Sequence, residues 1–319
     1  MAERAPEGST PAAAHGAAST TQDSPDPAAR SDRPLREGAA SLMGGWSIEA
    51  TLPKADDLAA LRTSLPPGSR VYLSALSHVS PRRLADHAAE VAEAGFEPVP
   101  HLAVRNFRSR GEAAEFLGDV RERARVRRVL VVAGDRERPE GPFGDSLQLI
   151  ESGLLREAGL EAIDVAGYPD GHPKISAGAL MEALRAKVAA AGRAGLDAGV
   201  VTQFGFDAAV ILRWLGDVRE EFPQLPVRVG LAGPAGAKTL FKYAMRCGVR
   251  TSIRGFTRGL SLLGNLAGDG TPAELVQALA EGGAADEGAS LALHFYSFGG
   301  IGRTAQWARA LAEEEIEHG

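Results

Sequence analysis

The chain has 319 residues, a formal net charge of −6, and 44% hydrophobic and 24% charged residues, which is ordinary for a globular protein. The negative charge and the aromatic content of 6% give no argument for a nucleic-acid partner or a membrane surface, and no apolar run is long enough to span a bilayer. The single cysteine, Cys247, excludes an internal disulfide framework and fits a reducing compartment, so we expect a cytoplasmic protein.

Residues 1–45 differ in composition from the rest of the chain. Ala, Pro, Ser, Thr, Gly and Asp dominate this segment, and almost no large apolar residue precedes Leu35. Such a segment cannot bury enough apolar surface to offset the entropy of ordering it, and it lacks the apolar core of a secretory signal. We therefore predict a disordered N-terminal tail over 1–45 and one folded domain over 46–319.

From Trp46 onward, strand-like runs alternate with amphipathic helical runs such as 81–94 and 208–221. Eight alternations in one domain predict an α/β fold, a (β/α)8 TIM barrel. A doubly wound open sheet would show a glycine-rich phosphate turn after its first strand, where this chain has Glu49-Ala-Thr-Leu-Pro53. The predicted strands are 46–52, 70–76, 97–104, 128–133, 162–167, 199–203, 227–231 and 290–296.

Residues 250–288 interrupt the alternation between the seventh helix and the last strand. This insertion contains a predicted short helix over 272–281, and we expect it to form an extra helical layer or a lid beside the mouth of the barrel. The preceding Gly233-Pro-Ala-Gly-Ala-Lys-Thr239 lacks the spacing of a phosphate loop and predicts a helix start instead. The seven histidines show none of the usual metal-site spacings, so no metal is expected. Cys247 lies on an apolar helix face and is interpreted as a core residue.

Polar residues stand at the predicted C-terminal ends of five different strands, and in a parallel barrel these ends converge on one mouth. Each of them alone could be a helix cap or a loop residue. Five at matching positions favour a functional site at the mouth. They are Glu49, His101, Asp135, His172 (with Tyr168) and Gln203.

Six segments occur in the order, and with the residues, of one known family: Ser47-Ile-Glu-Ala-Thr-Leu-Pro53, Pro100-His-Leu102, Gly134-Asp135, Tyr168-Pro-Asp-Gly-His-Pro173, Thr202-Gln-Phe204 and His294-Phe-Tyr296. With them the chain from Trp46 onward resembles the methylenetetrahydrofolate reductase family. The resemblance implies an oxidoreductase of one-carbon metabolism and methionine biosynthesis, acting on CH–NH donors. It would interconvert 5,10-methylene- and 5-methyltetrahydrofolate with hydride from NAD(P)H, through FAD. Whether the protein forms a homo-oligomer stays open at this point.

The resemblance also implies roles for individual residues. Opening the five-membered ring of the substrate requires a proton at N10, and Glu49 would be the acid, with a pKa raised by desolvation. Asp135 would stabilise the cation that forms, and Gln203 would bind the pterin edge. Phe204 and Tyr296 would wall the substrate site, although core packing explains a phenylalanine equally well. The resemblance assigns cofactor binding to His101, Gly134, Asp135, Tyr168 and His172.

Several flavin-side positions of the family are not matched. Ala133 replaces an arginine before Gly134-Asp135, Lys174 replaces an acidic residue, Ala237 replaces a substrate-stacking phenylalanine, and the helix after Pro173 is mostly apolar. Direct hydride transfer from nicotinamide to folate is therefore one alternative to FAD. A non-catalytic folate-binding barrel is a second, and a barrel enzyme for another one-carbon carrier is a third. Retention of Glu49 and Asp135 argues against the binding protein.

Overall fold

A computed structural model describes residues 39–249, 271–284 and 290–317. Its eight parallel strands form a closed barrel in which every strand pairs with its sequence neighbours and β8 pairs with β1, so the predicted (β/α)8 TIM barrel is confirmed. The predicted strands differ from the observed ones by a few residues at their ends. The observed strands are β1 (Ser47–Ala50), β2 (Arg70–Leu73), β3 (Glu97–Ala103), β4 (Arg128–Val132), β5 (Ala162–Gly167), β6 (Asp197–Thr202), β7 (Val227–Ala232) and β8 (Leu291–Tyr296).

Helices follow the strands and form the outer layer of the barrel. Both helices given above as examples are present, and the helix predicted over 272–281 is observed as well. The described helices are α1 (Ala55–Ser64), α2 (Pro81–Glu93), α3 (Arg110–Ala124), α4 (Ser146–Glu151), α5 (Leu154–Glu157), α6 (Ala177–Arg193), α7 (Ala208–Glu221), α8 (Ala237–Cys247), α9 (Ala273–Glu281) and α10 (Ile301–Glu317). Within the described ranges, none of them has the length and apolar character that a membrane span requires.

Local sequence explains where these helices begin. Ser80 precedes α2 and its hydroxyl accepts a hydrogen bond from the amide of Arg83, while Pro81 occupies the first helical position, where its missing N–H costs nothing. Asp207 caps α7 in the same way, accepting from the amides of Ala209 and Val210. Each helix then buries one face against the strands, and this packing provides most of its stability.

The strand residues alternate between two environments. Outward side chains such as Ile48, Val71 and Leu293 join the main core between barrel and helices. Inward side chains form a separate cluster of Tyr72, Val99, Leu130 and Val201 within the barrel. Because side chains alternate in direction along a strand, a polar residue at every second position of an apolar run points into the barrel.

The structure describes the last part of the predicted tail. Residues 39–43 form a helical turn, and Ala39, Leu42 and Met43 are buried in the main core. The packed part of the chain therefore begins before Trp46. Residues 1–38, and the parts of the predicted insertion at 250–270 and 285–288, lie outside the described residues.

Candidate functional site

Glu49 is the centre of a buried polar cluster inside the barrel. Its Oε2 atom lies 3.2 Å from Nε2 of His101 and 3.4 Å from Nε2 of His294, and the residue is only 8% exposed. These are ion-pair distances, but no hydrogen bond of regular geometry joins the three atoms. A carboxylate oxygen and two imidazole nitrogens are thus buried together with hydrogen-bonding capacity left over.

Strand register explains why these side chains meet. Glu49 is paired with Tyr296 on β8 and Ser47 with His294, so Ser47 and Glu49 share the inward face of β1 with His294 on the strand beside it. Two serines hold Glu49 at further points, one at its carboxylate and one at its backbone carbonyl. The hydroxyl of Ser74, just after β2, donates to Oε1 of Glu49, and the hydroxyl of Ser297 donates to its backbone carbonyl at 2.6 Å.

The pKa of Glu49 lies well below its ordinary value. Burial acts to raise it, but the electrostatic interaction of the carboxylate with His101, together with that with His294, outweighs burial. The sequence-based expectation of a raised pKa is therefore wrong for the free protein. The reason is that the expectation counted desolvation only, whereas the barrel also places two imidazoles against the carboxylate.

His294 belongs to the site although it was not among the predicted site residues. The residue is 0% exposed, and its Nδ1 atom lies 3.0 Å from the hydroxyl of Ser47, which accepts a hydrogen bond from Arg228 at 3.1 Å. Burial lowers the pKa of His294, so the imidazole is neutral at physiological pH. The signal in the sequence was a histidine within the otherwise apolar strand Leu291–Tyr296, at a position whose side chain points into the barrel.

Aromatic rings wall one side of the mouth above this cluster. Phe204 is buried and packs edge-on against Phe206, Tyr296 and Phe298, with ring centroids 4.8–5.7 Å apart. Phe204 is therefore buried inside this aromatic wall, whereas the half-buried Tyr296 forms the part of the wall that faces the mouth. Gly230 makes room for Tyr296, because a Cβ atom at this position would come within 2.8 Å of the tyrosine ring.

Gln203 and Tyr296 are positioned by the backbone at the end of β6. The amide of Gln203 donates to the carbonyl of Gly167, and its own side-chain oxygen accepts from the amide of Phe204 at 3.2 Å. The hydroxyl of Tyr296 donates to the carbonyl of Thr202 at 2.9 Å. The side-chain NH₂ group of Gln203 can still donate to a ligand.

Asp135 lies on the rim of the mouth. Gly134 turns the chain there with a φ of 90°, a conformation that favours glycine, and the Asp135 side chain is 84% exposed, 3.9 Å from Arg246 of α8. Burial and then the charge of Asp135 raise the pKa of Tyr168. The same two causes raise the pKa of Cys247 to about 11, with Arg246 acting against them and a smaller contribution from Glu49.

The structure therefore brings the predicted residues together in two tiers. Glu49 and His101 point into the barrel below the mouth, while Asp135, Tyr168 and Cys247 surround its rim. Cys247 packs with the aromatic wall, so it belongs to the mouth as well as to a hydrophobic cluster. Among the described residues, no group of three or more His, Cys, Asp or Glu side chains is arranged to hold a metal ion.

His172 is the predicted site residue least engaged with this mouth. Its ring packs edge-on against Tyr168 at 5.5 Å, and its Nδ1 atom accepts a hydrogen bond from the amide of Lys174. Burial, followed by the charge of Lys174, lowers the pKa of His172. It is thus a neutral loop residue beside Tyr168.

The cationic side chains of α6 are relevant to FAD, because a diphosphate requires cations or free amides. Arg185 is paired with Glu221, and Arg193 with Glu151 at 2.9 Å. The pKa of Lys187 is lowered by burial. All three cations of α6 are thus either paired with a carboxylate or buried.

A cleft of about 850 Å³ lies between α6 and α7, beside Tyr168. Its apolar walls include Met181 and Trp214. Its carboxylates outnumber its two arginines, so the cleft favours neither a diphosphate nor another anion. The charged residues that line it are Asp170, Asp217, Glu220, Glu221, Arg185 and Arg213. The described residues around α6 therefore do not fit the diphosphate of FAD.

Comparison with known proteins identifies a family and many distantly similar solved structures, two of which follow. The chain is similar to dihydropteroate synthase from Thermus thermophilus (19% identity, 84% of this chain and 93% of that one, TM-score 0.43). It is also similar to the apo form of a protein assigned as a deoxyribose-phosphate aldolase from Toxoplasma gondii (9% identity, 88% and 97% coverage, TM-score 0.42). Neither similarity is strong enough to carry an argument about function.

The sequence model of the family described as methylenetetrahydrofolate reductase matches residues 71–252, which is more than half of the chain. The match includes the segments that hold His101, Asp135, Tyr168 and Gln203. Glu49 and His294 lie outside the matched residues, but the closed barrel joins their strands to the matched part. The chain therefore belongs to the methylenetetrahydrofolate reductase family.

Proposed function

We propose that this protein reduces 5,10-methylenetetrahydrofolate to 5-methyltetrahydrofolate with hydride from NAD(P)H. Family membership makes it an oxidoreductase of folate one-carbon chemistry, and the proposal adds the substrate, the hydride donor and the residues. The observation that carries it is the buried cluster of Glu49, His101 and His294, whose unpartnered polar atoms lie beneath an aromatic-walled mouth. A protein that only bound folate would have no use for it.

The reaction balances with one hydride and one proton. The bond between N10 and the bridging methylene carbon breaks, N10 takes the proton, and the resulting iminium carbon takes the hydride from C4 of the nicotinamide. The products are 5-methyltetrahydrofolate and NAD(P)⁺. Because the iminium cation forms before hydride arrives, the site needs a proton donor first and a negative charge next.

Glu49 supplies the proton to N10 in this proposal, through its unpartnered Oε2 atom. A lone carboxyl with a lowered pKa would hold no proton near neutral pH, but the pair with His101 can hold one between them. His101 is the partner that can be recharged from solvent, because its side chain is 13% exposed, whereas that of His294 is not exposed at all. His101 therefore acts on the proton rather than on a cofactor.

Gln203 and Tyr296 hold the pterin in this proposal. The free NH₂ group of Gln203 donates to the pterin edge, and the ring of Tyr296 packs on its face. Asp135 is exposed on the rim, where water weakens its field, so it acts on the cation only once the bound pterin and nicotinamide have displaced that water.

FAD is the cofactor that this family generally binds. The cations of α6 are paired or buried, and the neighbouring cleft is acidic. These observations favour the alternative in which nicotinamide passes hydride to the folate directly. The proposed hydride transfer therefore has no flavin step.

The test is a reductase assay on the purified full-length protein together with its visible absorption spectrum. We expect oxidation of NADH or NADPH that depends on methylenetetrahydrofolate, no flavin absorption, and no stimulation by added FAD. A flavin spectrum with turnover would contradict direct transfer and restore the FAD route. Folate binding without turnover would identify a binding protein, and neither binding nor turnover would indicate another one-carbon carrier.

A further inference from the structure

His294 is a fully buried imidazole to which the proposed chemistry assigns no step. Its Nε2 atom lies 3.4 Å from Oε2 of Glu49, the same oxygen that faces His101. Tyr72 packs edge-on against its ring at 4.7 Å, and the residue is 0% exposed. A buried imidazole that is packed in this way and does not reach solvent is suited to holding another group in place.

The far side of the ring determines which nitrogen carries the proton. Ser47 Oγ lies 3.0 Å from Nδ1 of His294 and accepts a hydrogen bond from Nη1 of Arg228. A guanidinium can only donate, so the Ser47 hydroxyl is left to donate its own hydrogen. The Nδ1 atom is nearer to it than the alternative acceptor, the carbonyl of Leu293 at 3.4 Å. The shorter distance favours Nδ1 as the acceptor, which would put the proton of the neutral ring on Nε2.

We propose that His294 is a positioning residue for Glu49: Arg228 and Ser47 hold it in the tautomer with the proton on Nε2, and this N–H, 3.4 Å from Oε2, stabilises the Glu49 carboxylate electrostatically. The inference rests on the proposed function only for what Glu49 does, not for the tautomer. The proposal gives the two histidines different roles because only His101 is accessible to solvent. His101 exchanges protons with the mouth, and His294 is a fixed donor that never releases its proton.

The proposal has a definite consequence for pH dependence. Without the Nε2–H donor, burial acts on Glu49 with less opposition, so the pKa of its carboxyl rises. The form of the Glu49–His101 pair that holds a proton then persists to higher pH. The limb of the rate profile on which activity falls with rising pH should move upward.

The other titratable groups packed on the cluster do not titrate in this range. Burial raises the pKa of Tyr72 on β2 and of Tyr296 on β8 well above their ordinary values, and that of Cys247 on α8 to about 11. Burial lowers the pKa of Arg228 on β7, but a guanidinium remains charged in proteins. A shift of the limb near neutral pH therefore reports on the cluster around Glu49.

The first experiment compares three variants of the full-length protein. His294→Met removes the donor, His294→Gln keeps an N–H at the position of Nε2, and His87→Gln is the matched control. His87 on α2 is also a buried histidine, 4% exposed and 2.8 Å from Glu90, but it lies in the outer layer. All three are checked for folding by circular dichroism and thermal melting.

We expect His294→Met to lower kcat by about tenfold or more, the scale of effect expected from a misplaced catalytic group. Its high-pH limb should move upward by about one pH unit, while His294→Gln keeps the wild-type limb and most of the activity. His87→Gln should change neither. A folded His294→Met with an unchanged profile, or equal losses in the Met and Gln variants, would overturn the proposal.

The second experiment does not depend on turnover. In protein labelled with ¹⁵N-histidine, the imidazole signals that disappear in His294→Gln are those of His294. We expect them to show the neutral Nε2–H tautomer at neutral pH, and to lose this tautomer preference in Ser47→Ala. The Nδ1–H tautomer, or a doubly protonated ring at neutral pH, would overturn the proposal. If the wild type has no reductase activity but the tautomer is as expected, only the proposed function fails.

Discussion

The barrel interior contains two buried polar groups at different heights, and they differ in how fully their hydrogen bonds are made. In the lower group, Asp164 accepts from the hydroxyl of Tyr72 at 2.7 Å and from Arg128 at 2.8 Å, and Arg128 Nε is its one unpartnered atom. In the upper group, Glu49 Oε2 lies 3.2 and 3.4 Å from the Nε2 atoms of its two histidines, but no regular hydrogen bond joins these atoms. The Asp164 carboxylate therefore makes its hydrogen bonds within the lower group, whereas Oε2 of Glu49 makes none within the upper group.

This difference distinguishes buried polar groups that stabilise the fold from buried polar groups that serve a function. A buried charge is tolerated when its partners replace the water it loses, and Asp164 meets this condition. The upper cluster keeps polar atoms buried without partners, which costs stability unless a ligand completes them. Predictions for the two groups therefore differ in kind: changes below should affect folding, and changes above should affect turnover.

The aspartates Asp164 and Asp170 show the same contrast between a carboxylate with a buried partner and one without. Asp164 lies in β5 and Asp170 in the loop that follows it, and both are shielded from water. Asp164 has a cation beside it, whereas Asp170 has the like charge of Asp207 nearby. Burial first and then Asp207 raise the pKa of Asp170 to about 6. Asp170, in the loop after β5, is thus a carboxylate in an electrostatically unfavourable position. Asp164, in the lower barrel, is in a favourable one because Arg128 lies beside it.

The largest effect is expected for Asp164→Ala. The change leaves Arg128 buried without its carboxylate, and removing one partner of a buried ion pair typically costs about 3–5 kcal/mol. Chemical denaturation should show this loss, while Asp197→Ala, an exposed aspartate at the start of β6, should change stability by less than about 0.5 kcal/mol. Equal stability of the two variants would mean that the lower group does not stabilise the barrel.

Glu49→Gln should give the next largest effect, on turnover. The change keeps the shape of the side chain and removes the acid, so reduction of methylenetetrahydrofolate should fall by ~10²-fold or more. The melting temperature should fall as well, because the lowered pKa of Glu49 means that its ionised form stabilises the folded barrel at neutral pH. Glu97→Gln, at the opposite end of the barrel beside Arg70, is the control and should keep its activity. Loss of folding instead of rate would place Glu49 with the structural group.

Gln203 and Asp135 should be separable by steady-state kinetics with folate as the varied substrate. Gln203→Ala removes a contact made in substrate and transition state alike, so it should raise KM, with a loss of about 1–3 kcal/mol. Asp135→Asn acts on charge that develops as the ring opens, so it should lower kcat more than it raises KM. Interchanged profiles would show that the two roles have been assigned the wrong way round.

Asp170→Asn should stabilise the protein, the opposite sign to a change at Asp164. Because the folded-state pKa is raised, the cost of ionising Asp170 is absent below its unfolded value near 3.8 and builds up as pH rises through about 6. After discounting for partial exposure, we expect a gain of about 1 kcal/mol at about pH 8 and almost none at about pH 4. A pH-independent gain would contradict this electrostatic explanation.

The smallest effect is expected from the N-terminus. Deleting residues 1–38 should leave the melting temperature and turnover unchanged, because this composition offers little apolar surface to pack. Deletion of residues 1–43 is the contrasting variant, since Leu42 and Met43 are buried and losing such side chains costs about 2–5 kcal/mol each. A large loss from the shorter deletion would show that residues 1–38 contribute to the fold.

Much of the fold could be predicted from the sequence because the signals are local. Strand runs such as 162–167 and helices such as 208–221 have their own periodicity and caps, and their bounds agree with the structure. The same applies to Gly134-Asp135, because a positive φ requires a particular residue at a particular position. The boundary after residue 45 was less visible, since the short turn over 39–43 is too brief to show a period.

By itself, the sequence determined that the chain forms a parallel barrel, because the alternation of strands and helices is a local pattern. It also predicted that Glu49 and His101 stand at strand ends that converge on one mouth. It could not show that His294 and Arg228 belong with Glu49. The contacts of Ser47 with these two residues span 247 and 181 positions, and only closure of β8 on β1 brings them together. The direction of the Glu49 pKa likewise depends on opposing effects of burial and charge, and their balance exists only in the folded barrel.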